Sequence, residues 1–130
     1  MSLVKKLLSR RHKAESAGSA EGDFHINWPG KSGKEYKYEI YPIDASFNPE
    51  PANYIYAKQS EDGSWTPLYI AQTRDLRQRL EGFEKQTLAI HNGATHIHVH
   101  ISNEGQAARC SEERDLILCW QPVCNDRLES

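Results

Sequence analysis

From Phe24 onward the chain alternates apolar and polar positions. Phe24, Ile26 and Trp28 are interleaved with His25 and Asn27; Tyr36, Tyr38 and Ile40 with Lys37, Glu39 and Tyr41. A period of two marks a half-buried strand, and the Gly-containing stretch from Pro29 to Lys34 predicts a hairpin between the two runs. Pro42 to Pro51, with three prolines and an Asn-Pro pair, reads as a connector. A second hairpin follows, from Asn53 to Lys58 and from Thr66 to Ala71. It is centred on Asp62-Gly63, the favoured pair for a two-residue type I′ turn. That turn sets opposed residues to a sum of 125, so Tyr56 faces Tyr69 and Tyr54 faces Ala71. Tyr54, Tyr56 and Tyr69 then share one face, and Ile55, Leu68 and Ile70 the other. Pro67 lacks an N–H donor and is the point where this register can shift.

The period then changes. Leu76, Leu80 and Phe83 recur at helical spacing and predict a basic helix from Arg74 to Phe83, with Thr73 as its cap and Asp75 in its first turn. Glu84 to His91 reads as a second helical piece ending at Asn92-Gly93. His96 to Ile101 alternates again, placing Ile97, Val99 and Ile101 on one face and His96, His98 and His100 on the other. Two histidines at i and i+2 on a strand can chelate a transition metal. With no fourth ligand in view, a polar or cleft-facing row of imidazoles is the preferred reading. The last helix is expected from Glu104 to Gln121, stopping before Pro122. Cys110, Ile117 and Trp120 form a stripe with Glu113 inside it, while Glu112 lies near Ala108, Leu116 and Cys119. A carboxylate on a packing face needs a partner, and periodicity alone does not choose between the two.

A chain of 130 residues with 38% apolar content fits one domain able to bury a core without metals or disulfides. Three cysteines, Cys110, Cys119 and Cys124, lack metal-ligand spacing and predict reduced thiols in a cytoplasmic setting. No run suits a signal peptide or a membrane span. The formal charge is -2, but Lys5, Lys6, Arg10, Arg11 and Lys13 all precede the first acid, Glu15. Residues 1–22 are therefore read as a basic arm and a small-residue linker, and 23–51 as an N-terminal hairpin and connector. Residues 52–125 form the main unit and 126–130 a tail.

Taken in order, the segments from Ala52 to Asn125, 74 of the 130 residues, resemble the GIY-YIG nuclease module. Ala52-Asn53-Tyr54-Ile55-Tyr56 is similar to the first motif and Leu68-Tyr69-Ile70-Ala71-Gln72-Thr73 to the second. Arg79 falls where the family arginine belongs. Glu113-Arg114-Asp115-Leu116-Ile117, followed by Pro122 and Asn125, matches the family's glutamate helix and selects Glu113 over Glu112. The sequence departs from the pattern in three places: the first-motif glycine is absent, the second is Ala71, and Phe83 occupies an aromatic position that is often Tyr or His. Gln72 stands where some members carry lysine.

The resemblance implies an α+β fold, a small mixed or antiparallel sheet flanked by helices, here with an extra N-terminal hairpin. It also implies hydrolysis of DNA phosphodiesters with Mg²⁺ or Mn²⁺ held by Glu113. Arg79 would grip the phosphate, and a phenol, Tyr69 or its cross-strand partner, would handle the attacking water. Lettering favours Tyr54 for the first-motif tyrosine and register favours Tyr56. Asn125, Gln72 and His100 are supporting positions. Residues 52–130 carry eight Lys and Arg against eleven acids, a weak footprint for duplex binding. A catalytically impaired DNA-binding or protein-interaction module is accordingly the alternative, with the N-terminal region as the place for a protein partner.

Overall fold

A computed structural model describes residues 24–81 and 84–125; the basic arm, the C-terminal tail and Phe83 lie outside the described residues. The elements are β1 (His25–Pro29), β2 (Glu35–Pro42), β3 (Ala52–Gln59), β4 (Trp65–Thr73), α1 (Leu76–Leu80), α2 (Glu84–His91), β5 (His96–Ile101) and α3 (Gln106–Trp120). The strands form one curled antiparallel sheet in the order β1-β2-β5-β3-β4, a mixed α+β architecture. The N-terminal hairpin extends the sheet through β2, which pairs with β5 (Glu39 with Val99, Ile40 with His98). β5 in turn pairs with β3 (Tyr54 with Val99, Ile55 with His98).

Alternation along the strands creates two cores. On one face Ala52, Tyr54, Tyr56, Ala71, Ile97 and Val99 pack with Leu76 of α1 and Ala89 of α2. On the other, Ile26, Trp28, Tyr38, Ile55, Trp65 and Ile70 pack with Leu116 of α3. The expected separation of Tyr54, Tyr56 and Tyr69 from Ile55 and Ile70 is therefore observed.

The second hairpin turns differently from the expectation. Its loop has three residues, not two: Ser60 and Ser64 close it, the Gly63 N–H donates to the Ser60 carbonyl at 2.9 Å, and Gly63 takes φ 88°. A type I′ turn needs two successive left-handed residues, which Asp62 avoids by letting Gly63 alone adopt that conformation. Gln59 consequently opposes Trp65 and Ala57 opposes Pro67, one residue off the expected register. An irregularity at Tyr56/Ala57 restores it, and Tyr56 opposes Tyr69 as expected. The bulge lies beside Pro67, whose missing donor makes a ladder interruption inexpensive there.

The first helix is shorter than its pattern. Its cap is Asp75, whose carboxylate accepts from the Gln78 N–H at 3.0 Å, while Thr73 Oγ1 accepts from the Asp75 N–H at 3.1 Å. At the far side of the sheet Gly30 admits the Asp115 carboxylate, where any Cβ would collide with it. That carboxylate accepts from the Ser32 N–H at 2.9 Å, the Ser32 hydroxyl at 2.7 Å and the Tyr36 hydroxyl at 2.8 Å, tying the first hairpin to α3. No helix among the described residues is long and apolar enough to cross a membrane.

Candidate active site

β3 and β4 bring three phenols together. The rings of Tyr56 and Tyr69 stack with centroids 6.4 Å apart, Tyr54 lies 6.3 Å from Tyr69, and Tyr54 meets Tyr56 edge-on at 5.9 Å. Burial is the first cause that holds the Tyr54 and Tyr56 hydroxyls well above the ordinary phenol value, and the neighbouring Tyr69 adds to it. Desolvation penalises a phenolate and leaves the neutral form. Tyr69 is half-buried. The Ala71 methyl is absorbed into the same core, beside Tyr54 and Leu76.

Arg79 connects this cluster to α3. Its guanidinium approaches the Tyr54 hydroxyl closely enough to favour the ionised phenol, without the geometry of a strict hydrogen bond. The same positive charge acts on Glu113, which is half-buried: burial raises its carboxyl above the usual range and Arg79 opposes that rise. α1 and α3 cover opposite faces, and their charged side chains meet on the side of edge strand β4. There a groove of about 860 Å³ is lined by Gln72, Thr73, Arg74, Arg79 and Arg109, among others.

The supporting positions are distributed differently. Gln72 points to the α3 face, its Oε1 accepting from Arg109 Nε at 3.0 Å. Asn125 clamps β4: its Oδ1 accepts from the Ile70 N–H and its Nδ2 donates to the Ile70 carbonyl, both at 2.9 Å. It therefore fixes the strand residue next to Tyr69. His100 belongs to a separate network that sequence reasoning missed. Glu112, only 6% exposed, accepts at one carboxylate oxygen from the Tyr38 hydroxyl at 2.6 Å and meets His100 Nδ1 at 2.9 Å. The buried stripe of α3 is Arg109, Glu112 and Leu116, with Glu113 beside it. The costly carboxylate of that face is Glu112, and charge-assisted partners offset its burial.

The histidine row divides rather than converging. His98 accepts from Trp28 Nε1 at 3.0 Å, His100 meets Glu112, and His96 Nδ1 lies 2.8 Å from Thr95 Oγ1. Among the described residues no group of three His, Cys, Asp or Glu side chains is arranged to hold a metal ion.

The His100–Glu112 pair carries a pH dependence. The hydrogen bond to Glu112 is the largest influence raising the His100 value; partial burial opposes it, and the charges of Glu112 and Glu104 add to the rise. A folded value above the unfolded one, about 6.5 for histidine, gives stabilisation that is full below about 6.5 and lost as pH rises through the folded value. His100→Gln is expected to lower the urea midpoint most at about pH 5.5, with the deficit shrinking by about pH 8.5. A deficit that grows with pH would contradict this assignment.

Comparison with protein-family models, with curated proteins and with solved structures returns no match. Fold and site together define a mixed α+β domain in which the Arg79 guanidinium lies between a cluster of phenols and a half-buried carboxylate; the groove itself is lined by Arg79 but not by Tyr54, Tyr69 or Glu113.

Proposed function

We propose that the chain is a divalent-metal-dependent DNA endonuclease with a GIY-YIG-like catalytic arrangement. One observation carries the reading: Arg79 of α1 lies within electrostatic reach of both Tyr54 of β3 and Glu113 of α3, residues from two other segments of the chain. Nothing in local packing requires that meeting, whereas phosphodiester hydrolysis uses each of these groups.

The donor set fits a hard cation. Mg²⁺ keeps several waters and accepts as few as one protein carboxylate, and Glu113 is a carboxylate whose charge is disfavoured by burial and only partly supported by Arg79. When bound, the ion would offset negative charge growing on the leaving oxygen. Arg79 would bind the scissile phosphate with its fork of donors. Tyr69, the least enclosed of the three phenols, would orient the attacking water and take its proton. Arg74, exposed on the groove wall, would receive a neighbouring backbone phosphate.

The test is nicking of supercoiled plasmid by the full chain. Conversion to open circles in Mg²⁺ that EDTA abolishes and added Mg²⁺ restores would support the reading; no conversion at any Mg²⁺ or Mn²⁺ concentration would overturn it. One observation favours the second reading, a non-catalytic DNA-binding module: two of the three phenols are held protonated by burial. Steeply salt-dependent DNA binding with no nicking is its signature.

A further inference from the structure

Three phenols in contact pose the question of which one can ionise, and α2 supplies an answer. Lys85 places its ammonium 5.7 Å from the centroid of the Tyr69 ring, inside the range of about 6 Å over which a cation and an aromatic face attract. We infer that Lys85 is the positioning residue that makes Tyr69, rather than Tyr54 or Tyr56, the phenol able to give up its proton. The inference rests on the endonuclease reading for its role in turnover, and on the geometry alone for the coupling between the two side chains.

The groups around Tyr69 act in different directions. From β3, Tyr54 and Tyr56 lie against its ring and are themselves held neutral by burial, so neither supplies charge. From α1, Arg79 directs its guanidinium to Tyr54. From α2, Lys85 brings a cation to the Tyr69 ring itself; it also acts on Cys124, whose thiol burial pushes up and Lys85 pulls back. A positive charge at this range favours the phenolate over the phenol. Tyr69 is half-buried where Tyr54 and Tyr56 are fully enclosed, so its ionised form loses less hydration than theirs would. Gln72, the residue after Ala71 on the strand, engages Arg109 on the opposite face and contributes no charge to the cluster.

Tyrosines labelled with ¹³C at Cζ can be titrated in the full chain, with Tyr69→Phe assigning the resonance. Tyr69 is expected to titrate first of the cluster, and Lys85→Gln to raise its midpoint by about one pH unit, with Lys85→Arg restoring most of the difference. At pH 7 the same Lys85→Gln substitution is expected to slow nicking about tenfold and shift the rising limb of the pH–rate profile upward by about one unit, with KM little changed. A Tyr69 midpoint unmoved by Lys85→Gln, or Tyr54 or Tyr56 titrating first, would overturn the inference. A Tyr69 shift in a protein that never nicks DNA would uphold the coupling and remove the endonuclease reading.

Discussion

Trp28→Ala is expected to destabilise the domain by about 3–5 kcal/mol, a large part of the roughly 5–15 kcal/mol that holds a domain of this size together. Trp28 is fully buried in the core under α3, meets Trp120 edge-on at 5.1 Å, and donates its indole N–H to His98 Nδ1 at 3.0 Å. Truncation removes the aromatic volume that β1 contributes beneath α3, and the rigid neighbours on β2 and β5 cannot close around the gap. It also leaves His98 without its donor. Burial, with a lesser effect of His96, holds that imidazole neutral, so Nδ1 must accept a hydrogen bond rather than make one. Trp28→Phe separates the two effects: it keeps most of the apolar volume and strands the acceptor, at a cost of about 1–3 kcal/mol. Urea midpoints of the two variants provide the measurement, and the phenylalanine variant serves if the alanine variant does not fold. A Trp28→Phe midpoint equal to that of the parent would show that the indole–imidazole bond contributes nothing.

The strands were legible because burial on one face forces alternation, which survives in the residues themselves from Ile26 to Trp28, Tyr36 to Ile40 and His96 to Ile101. The meeting of Tyr56 with Tyr69 was legible for a less direct reason. The loop is one residue longer than Asp62-Gly63 suggested, and the irregularity beside Pro67 offsets it, so two local departures cancel by the time the tyrosines are reached. Insertion of β5 between the two hairpins has no local signal. It is also what brings His100 and Tyr38 to the same carboxylate. Without that knowledge Glu112 had no visible partner and the buried stripe of α3 could not be placed. Lys85 was hidden similarly: sequence spacing gives its helix but not the strand tyrosine it covers.

Glu113→Gln is expected to slow nicking by about 10³-fold, since a bound metal supplies several kcal/mol of charge stabilisation and about 1.4 kcal/mol is tenfold in rate. Arg79→Ala is expected to cost about 10²–10³-fold, the scale of losing a preorganised donor aimed at developing charge. Arg79→Lys should recover only part, because an ammonium lacks the paired donors of a guanidinium. Stability separates these losses from misfolding. Burial outweighs Arg79 in setting the Glu113 carboxyl, so its value is raised on folding; its charge opposes the folded state above the ordinary carboxylate range, and neutral Gln relieves that. The thermal midpoint of Glu113→Gln at pH 7 is therefore expected to match or exceed the parent's while activity falls. Arg79→Ala withdraws the charge that favours ionisation of both Glu113 and Tyr54, so residues acting as one unit should lose less together than the product of their separate losses. A double variant slower than either single one by the full product would mean that Arg79 and Glu113 serve unconnected steps.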